Sequence, residues 1–208
     1  MVCATLPKEA HLAGDDPVRR RRLSSAGRET TGVQVSIFDD HDRPVPSGTS
    51  GEIVVRGDIV MKGYWNRPDA TAETLRNGWL HTGDVGHLDE DGYLYVTDRK
   101  KDMIISGGAN IYPREVEEVI CTHPAVQEVT VIGVPDDKWG ESVKALVVLR
   151  PAVQAAEADI IEHCRLRLAS YKKPSTVDFL SELPKNAYGK ILKRELRERY
   201  WAGRTRLV

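Results

Sequence analysis

The stretch from Asp98 to Glu117 constrains the fold more than any other, and it reads D-R-K-K-D-M-I-I-S-G-G-A-N-I-Y-P-R-E-V-E. Gly107 and Gly108 follow a short apolar run, and adjacent glycines can adopt positive φ and let a ligand approach the backbone. Pro113 suits the first turn of a helix, and the acidic residues after it suit the positive end of the helix dipole. The stretch therefore predicts a charged turn, a strand, a tight connection beside a ligand and then a helix.

Composition and charge are those of an ordinary globular protein. The formal net charge of the 208 residues is -1, which argues against general nucleic-acid binding. No apolar run approaches the about 20 residues of a membrane helix, and residues 1–30 lack the apolar core of a signal peptide. Cys3, Cys121 and Cys164 match neither a metal-binding spacing nor a disulfide set. We therefore expect a cytoplasmic protein with no transmembrane segment and no nucleic-acid partner.

The first half of the chain is predicted to be rich in strands. Residues 1–30 are polar and predict irregular structure, with Arg19–Arg22 as a solvated helix end or loop. Alternating apolar residues predict the strands that follow, and Asp89–Gly92 predicts a hairpin turn. The predicted strands are 33–38, 52–56, one near His87, and 93–97.

The second half alternates helical and strand patterns and predicts a compact α+β unit of about 110 residues, which is large enough to fold alone. The charged residues 99–101 are the predicted boundary. The predicted helices are 111–121, 155–168 and 191–201. The predicted strands are 126–134, 143–149 and 177–180.

Further motifs surround the stretch at Asp98–Glu117 and give the chain a family resemblance. They are V-M-K-G-Y-W (60–65), G-W-L-H-T-G-D-V-G (78–86), D-D-K-W-G-E (136–141), Y-K-K-P (171–174) and L-P-K-N-A-Y-G-K (183–190). In this order they closely resemble the C-terminal region of the AMP-forming acyl-CoA synthetases. These enzymes belong to the adenylate-forming ligases, with luciferase and the peptide-synthetase adenylation domains.

The resemblance implies two domains within an α+β fold. Residues 1–98 would be the C-terminal remnant of the large AMP-binding domain, strand-rich and barrel-like. Residues 99–208 would be the mobile C-terminal domain, with a hinge at 99–101. Because residues 30–97 would normally pack on the rest of the large domain, we expect them to expose apolar surface and sheet edges.

The resemblance also assigns the residues that would handle ATP. Asp84 would accept hydrogen bonds from the ribose hydroxyls, since a carboxylate offers only acceptors; the alternative is a turn aspartate that caps backbone amides. Arg99 would reach the ribose and phosphate region. Lys190 would stabilise charge at the α-phosphate as the adenylate forms; the alternative is a surface lysine before a helix. Tyr188 departs from the threonine or serine of many relatives.

Lys101 falls at the family's hinge position, where rotation would switch the enzyme between adenylate and thioester formation. A solvated linker is the alternative. Trp139 would pack near the adenine of coenzyme A, and Tyr171 and Lys173 would meet its nucleotide. Their alternatives are a half-buried packing tryptophan and a solvated loop. Gly107 and Gly108, within Ser106–Ala109, would line the tunnel for the pantetheine arm.

The predicted function is activation of a fatty or other hydrophobic carboxylic acid through acyl-AMP to acyl-CoA. The family's phosphate-binding loop and its magnesium ligands do not occur in these residues, so Mg would be held by the N-terminal region. We expect no full reaction from the 208 residues alone, and a separate N-terminal AMP-binding domain is a candidate partner. Alternatives are a non-catalytic fragment that binds CoA or adenylate or docks to a large domain, and a peptide-synthetase adenylation domain.

Overall fold

The computed structural model describes residues 2–12 and 14–204. The chain divides into two compact units between Lys100 and Lys101. Each unit contains both helices and strands, which confirms the predicted α+β class. The barrel-like form of the first unit stays a prediction.

The first unit is built on an antiparallel sheet in the order β3-β4-β6-β5, with β7 also paired to β6. Its elements are β1 (Ala4–Thr5), α1 (Pro17–Arg22), β2 (Arg28–Glu29), β3 (Val33–Phe38), β4 (Gly51–Gly57), α2 (Pro68–Thr74), β5 (Leu75–Arg76), β6 (Trp79–Leu88) and β7 (Leu94–Arg99). Side chains at alternate positions of the strands form its core, which comprises Val33, Ile37, Ile53, Val55 and Leu94.

The first thirty residues are more regular than expected. Arg19–Arg22 form the end of α1, which is one of the two predicted alternatives. The pair β1–β2 was not predicted, so the prediction of irregular structure was wrong there. The Oδ1 atom of Asp16 accepts hydrogen bonds from the amides of Val18 and Arg19, and Pro17 occupies the first helical turn. An aspartate cap before proline is a strong helix start, and it outweighs the mutual repulsion of the four arginines.

The second unit is a sheet covered by helices on both faces. Its elements are β8 (Ile104–Ser106), β9 (Ala109–Ile111), α3 (Pro113–Cys121), β10 (Val126–Asp136), β11 (Gly140–Leu149), α4 (Glu157–Arg165), β12 (Thr176–Phe179) and α5 (Lys193–Glu198). The strand order is β10-β11-β8-β9, and β12 runs parallel to β11. The alternation of side chains sends Val131 and Val147 into one core and Ile132 and Leu146 into the other.

Each core is closed by helices with matching apolar faces. Val116 and Ile120 of α3, and Ile160 and Cys164 of α4, are spaced i, i+4 and fill the first core. Leu196 of α5 fills the second core.

All three helices predicted in this unit are shorter than the sequence predicts. The helix expected at 111–121 begins at Pro113, because Ile111 belongs to β9. The helix expected at 155–168 begins at Glu157 because the backbone of Ala156 is extended, with its amide bound to the Asp159 carboxylate. The helix expected at 191–201 covers only Lys193–Glu198. Tyr200 and Trp201 then continue in a turn, where their side chains bind Asp178 and the carbonyl of Gly133.

Candidate functional site

A bulge in β6 presents the first candidate residue, Asp84. Glu52 of β4 pairs with Val85 of β6, and Val54 of β4 pairs with His81 of β6. Two steps along β4 therefore correspond to four steps along β6, so β6 carries two extra residues. A bulge of this kind redirects side chains at a sheet surface. Gly83 within the bulge has a φ of 70°, which favours glycine.

Asp84 and Arg99, predicted separately, face each other across β6 and β7. The Nε atom of Arg99 lies 3.0 Å from Oδ1 of Asp84. The hydroxyl of Thr82 accepts the Asp84 amide at 3.1 Å and donates to the carbonyl of Ile53. The Asp84 side chain is 33% exposed, so the carboxylate is fixed in place and still accessible to a hydroxyl donor from solvent.

A buried carboxylate, Glu52, lies beneath this bulge and was not predicted as a site residue. It is 8% exposed. Its Oε1 accepts the Gly83 amide at 3.2 Å, and its Oε2 lies 3.3 Å from both His81 Nδ1 and Lys100 Nζ. Burial alone would raise the pKa of Glu52, but the His81 hydrogen bond and the Lys100 charge outweigh it, and the pKa is lowered.

Gly107 and Gly108 form a tight connection with positive φ, as predicted, with values of 58° and 81°, but it joins β8 to the unpredicted strand β9 and not to a helix. The Gly107 amide donates to the Trp139 carbonyl at 2.9 Å. A Cβ atom at position 107 would lie 2.6 Å from Cε3 of Trp139, so the indole packs directly on this glycine. Trp139 is 50% exposed, which leaves part of its ring available to a ligand.

Replacing Gly107 by alanine should displace the indole of Trp139, whereas replacing Gly108 should not. Both positions have positive φ and would lose about 1 kcal/mol of stability for that reason. Only position 107 adds a clash, because nothing lies within 4 Å of a Cβ at position 108. We expect the Trp139 indole NH resonance to move, and the melting temperature to fall further, only in Gly107→Ala. Equal spectral changes in both variants would contradict the packing of Trp139 on Gly107.

Tyr171 and Lys173 lie in the loop between α4 and β12. Tyr171 is 52% exposed. The intervening Lys172 places its Nζ 2.7 Å from both carboxylate oxygens of Glu115 in α3 and 5.9 Å from the centroid of the Tyr171 ring. Among the residues that the structure describes, Lys173 makes no ion pair. This loop therefore offers one aromatic ring and one cation that are not engaged with each other.

Lys190 closes a hairpin loop that starts at Asn186. Backbone pairing joins Lys185 to Ile191, and the amide of Asn186 donates to the carbonyl of Lys190 at 2.9 Å. Gly189 has a φ of 78°, which favours glycine at this turn. The Lys190 side chain is exposed, and it makes no ion pair with any residue in the described part of the chain. Its ammonium is therefore accessible from solvent.

Lys101, the predicted hinge, lies in a short 3-10 turn, Lys100–Asp102. Its carbonyl lies 3.4 Å from Nη1 of Arg197, and the same guanidinium nitrogen lies 2.9 Å from Oδ1 of Asp102. These contacts belong to one conformation and do not test a rotation about Lys101, so its hinge role stays a prediction.

The structure brings together two sets of the predicted residues, Asp84 with Arg99 and Gly107 with Trp139. Tyr171 and Lys173 share the loop between α4 and β12, and Lys190 lies on another loop of the second unit. Within residues 2–12 and 14–204, no group of three or more His, Cys, Asp or Glu side chains could hold a metal ion. None of the helices described is long and apolar enough to cross a membrane.

Comparison with known proteins places this geometry in a family. Residues 2–65 match the model of the AMP-binding enzymes, and residues 115–190 match that of the AMP-binding enzyme C-terminal domain. A medium/long-chain-fatty-acid–CoA ligase, FadD8 of Mycobacterium tuberculosis, is 46% identical over 90% of this chain and 34% of its own. A 2-succinylbenzoate–CoA ligase of Bacillus cereus is 52% identical over 85% of this chain and 36% of its own.

A solved structure agrees with these matches. The o-succinylbenzoate CoA synthetase (MenE) of Bacillus subtilis, in complex with its acyl-adenylate intermediate, has a TM-score of 0.82 and 41% identity, covering 94% of this chain and 38% of that one. The chain therefore belongs to the adenylate-forming ligase superfamily. Its relatives are acyl-CoA ligases, and it matches their C-terminal region. It spans about a third of the length of the curated relatives it matches.

Proposed function

We propose that this chain is the C-terminal part of an AMP-forming acid–CoA ligase. The observation that carries the proposal is the accessible Asp84 carboxylate, held by Arg99 at the bulge in β6. In the complete reaction, a carboxylate oxygen attacks the α-phosphate of ATP and pyrophosphate leaves, which gives acyl-AMP. A thiolate of CoA then attacks the acyl carbonyl and AMP leaves, which gives the thioester.

Each candidate residue has a role that its environment supports. Asp84 accepts hydrogen bonds from two neighbouring ribose hydroxyls, because an ionised carboxylate has only acceptors to offer. Arg99 keeps that carboxylate oriented and brings a cation to the phosphate region. Lys190 stabilises the negative charge that develops when the carboxylate attacks phosphorus, and its lack of an ion pair among the described residues supports this role.

A second group of residues binds CoA, the acyl acceptor. The half-exposed ring of Trp139 offers a flat surface for the adenine of CoA, since indole stacks on purine faces. The turn at Gly107 and Gly108 has no side chains to obstruct the pantetheine arm. Tyr171 and Lys173 supply an aromatic ring and a cation for the nucleotide end of CoA.

The division of the chain at Lys100–Lys101 supports two domain assignments. The first unit is the end of the large AMP-binding domain and the second is the mobile C-terminal domain, with Lys101 as the hinge. ATP and Mg would also need the family's phosphate-binding loop and magnesium ligands, which do not occur in this sequence. The partner is therefore the rest of a large AMP-binding domain.

The acid is proposed to be fatty or otherwise hydrophobic. The two curated relatives named above act, by their names, on medium- or long-chain fatty acids and on 2-succinylbenzoate, at 46% and 52% identity. A fatty acid supplies an alkyl chain beside its carboxylate, and 2-succinylbenzoate supplies a benzene ring.

Complementation tests the proposed activity. The chain would be mixed with the large AMP-binding domain of a relative, and ATP–pyrophosphate exchange and acyl-CoA formation would be measured with fatty acids of several lengths. Both activities should depend on the presence of the two proteins together. CoA binding without either activity would instead support the non-catalytic alternative, a protein that only binds CoA or docks to a large domain.

The same preparation allows a binding test of Trp139. We expect Trp139→Ala to weaken CoA binding by the 208-residue chain about tenfold, because one base–aromatic stack contributes about 1–3 kcal/mol. Isothermal titration calorimetry would measure the affinity. Trp65→Ala is the matched control, since Trp65 is 96% exposed and belongs to the first unit. Equal losses in the two variants, or none, would exclude Trp139 from the CoA site.

A further inference from the structure

Three hairpin loops of this chain share one construction. Each starts at a residue whose side-chain oxygen accepts the amides two and four residues later, and each contains a positive φ at its fourth position. Such side-chain acceptors mimic a backbone turn and hold a tight loop closed. The three loops are Asp39–Arg43, Asp89–Tyr93 and Asn186–Lys190.

The loop at Asp39 shows what a carboxylate does to a cation at the last position. Its Oδ1 accepts the amides of His41 and Arg43 at 2.8 and 3.0 Å. Its Oδ2 also accepts from Nε of Arg43 at 3.0 Å, so the loop-closing carboxylate captures the guanidinium. Backbone and side-chain hydrogen bonds from Arg43 lower the pKa of Asp39, which keeps the carboxylate charged.

The third loop has the same backbone but a neutral first residue. Oδ1 of Asn186 accepts the amides of Tyr188 and Lys190, each at 3.0 Å. A carboxamide closes the loop as a carboxylate does, but it carries no charge to attract the Lys190 ammonium. Lys190 makes no ion pair among the described residues.

Two neighbouring lysines, unlike Lys190, form ion pairs. Lys185 Nζ lies 2.7 Å from Glu128, and Lys193 Nζ lies 2.7 Å from Glu117. Lys190 is thus flanked along the chain by lysines whose charges are matched, and it alone of these three keeps an unmatched charge within the described residues.

We propose that Asn186 is a positioning residue for Lys190, whose neutral amide closes the loop without capturing or offsetting the lysine charge. The inference rests on the proposed function, in which Lys190 meets an anionic substrate. The inference predicts that aspartate at position 186 preserves the loop, as it does in two other loops of this chain, but slows acyl-adenylate formation.

Three variants of the 208-residue chain separate geometry from charge. Asn186→Ala removes the acceptor, so hydrogen exchange at the amides of Tyr188 and Lys190 should become about tenfold faster. Asn186→Asp and Asn186→Ser keep an acceptor and should retain most of that protection. Acylation of the Lys190 amine by a soluble ester, followed by mass spectrometry at fixed pH, should slow about two- to threefold only in Asn186→Asp, because the added carboxylate stabilises the ammonium.

The complemented enzyme gives the kinetic test. We expect Asn186→Asp to reduce kcat for acyl-adenylate formation on the order of tenfold, with the loss shrinking at high salt. Thioester formation from supplied acyl-AMP should change little, and Asn186→Ser should remain close to the original chain. A merely structural role would lower both half-reactions together and would not distinguish aspartate from serine.

Two results would overturn the inference: unchanged amide exchange in Asn186→Ala, or full adenylation activity together with unchanged Lys190 acylation in Asn186→Asp. Absence of adenylation by the unaltered complemented chain would count against the proposed function instead. The exchange and acylation measurements do not depend on that activity, so they would still decide the role of Asn186.

Discussion

Replacing Lys190 by methionine should lower acyl-adenylate formation by the complemented chain about a hundredfold or more. Methionine keeps most of the side-chain length but removes the cation that the proposed mechanism brings to the α-phosphate, and the loss of one such electrostatic contact typically costs 10²–10³ in rate. Thioester formation from supplied acyl-AMP should be largely retained, since no charge then develops at phosphorus. Stopped-flow or pyrophosphate-release assays of each half-reaction would measure the two effects separately.

Lys185→Met is the matched control for this prediction. Lys185 lies on the same hairpin five positions earlier, but its ammonium is bound to Glu128. We expect its adenylation rate to stay within about threefold of the original, the scale of a solvent-exposed ion pair. The melting temperature should hardly change in Lys190→Met, because the lysine is exposed and unpaired among the described residues. Similar rate losses in both variants would remove Lys190 from its catalytic role.

Features encoded within a few residues could be read from the sequence. The glycine pair at 107–108 predicts a tight connection after β8, and Pro113 predicts the first turn of α3, because each depends on backbone preferences of the residue itself. The short strand β9 between them was not predicted. The loop at Asn186 could also have been found, since D-x-x-D-R, D-x-x-G-Y and N-x-x-G-K repeat one spacing at residues 39, 89 and 186. Turns and loops of this kind depend on residues at most four positions apart, so the sequence alone reveals them.

Features that depend on distant partners could not be read in this way. Trp139 packs on Gly107 only because β11 pairs with β8, which is a matter of sheet register. Glu52 looks like one charged residue in an apolar strand, and its role depends on His81 from β6 and on Lys100 from the turn that follows β7. The ends of α4 were also predicted wrongly. The periodic pattern of apolar residues does not show that the backbone of Ala156 is extended, and it does not show the tertiary contacts around the helix.

Replacing Glu52 by alanine should destabilise the first unit by about 3 kcal/mol. Removing one member of a buried charge pair typically costs about 3–5 kcal/mol, and the lower end applies because Lys100 is 39% exposed and keeps Asp40 at 3.2 Å. The variant also deprives the Gly83 amide of its acceptor beside Asp84. Glu52→Gln, which retains an acceptor for that amide, should lose only about 1–2 kcal/mol.

Urea unfolding followed by pulsed hydrogen exchange would measure this loss, with peptides of the first unit read separately from those of the second. Glu90→Ala is the control, because Glu90 is an exposed loop residue of the same unit and should change stability by less than about 0.5 kcal/mol. The second unit should unfold at the same urea concentration in all variants. A loss in Glu90→Ala as large as that in Glu52→Ala would contradict the network.

The pH dependence of the same measurement follows from the directions of the pKa shifts. The pKa of Glu52 is lowered from 4.5, so its stabilising effect is complete above that value and is lost as the pH falls through the folded-state pKa. Burial opposes the charge of Lys100, but the Asp40 and Glu52 carboxylates outweigh it and raise the pKa above 10.5. The Lys100 contribution is therefore complete below 10.5 and is lost as the pH rises through the raised pKa. The stability difference between the original chain and Glu52→Gln should be largest between these limits and shrink in acid; a difference that grows below pH 4.5 would show that Glu52 is not stabilised in its charged form.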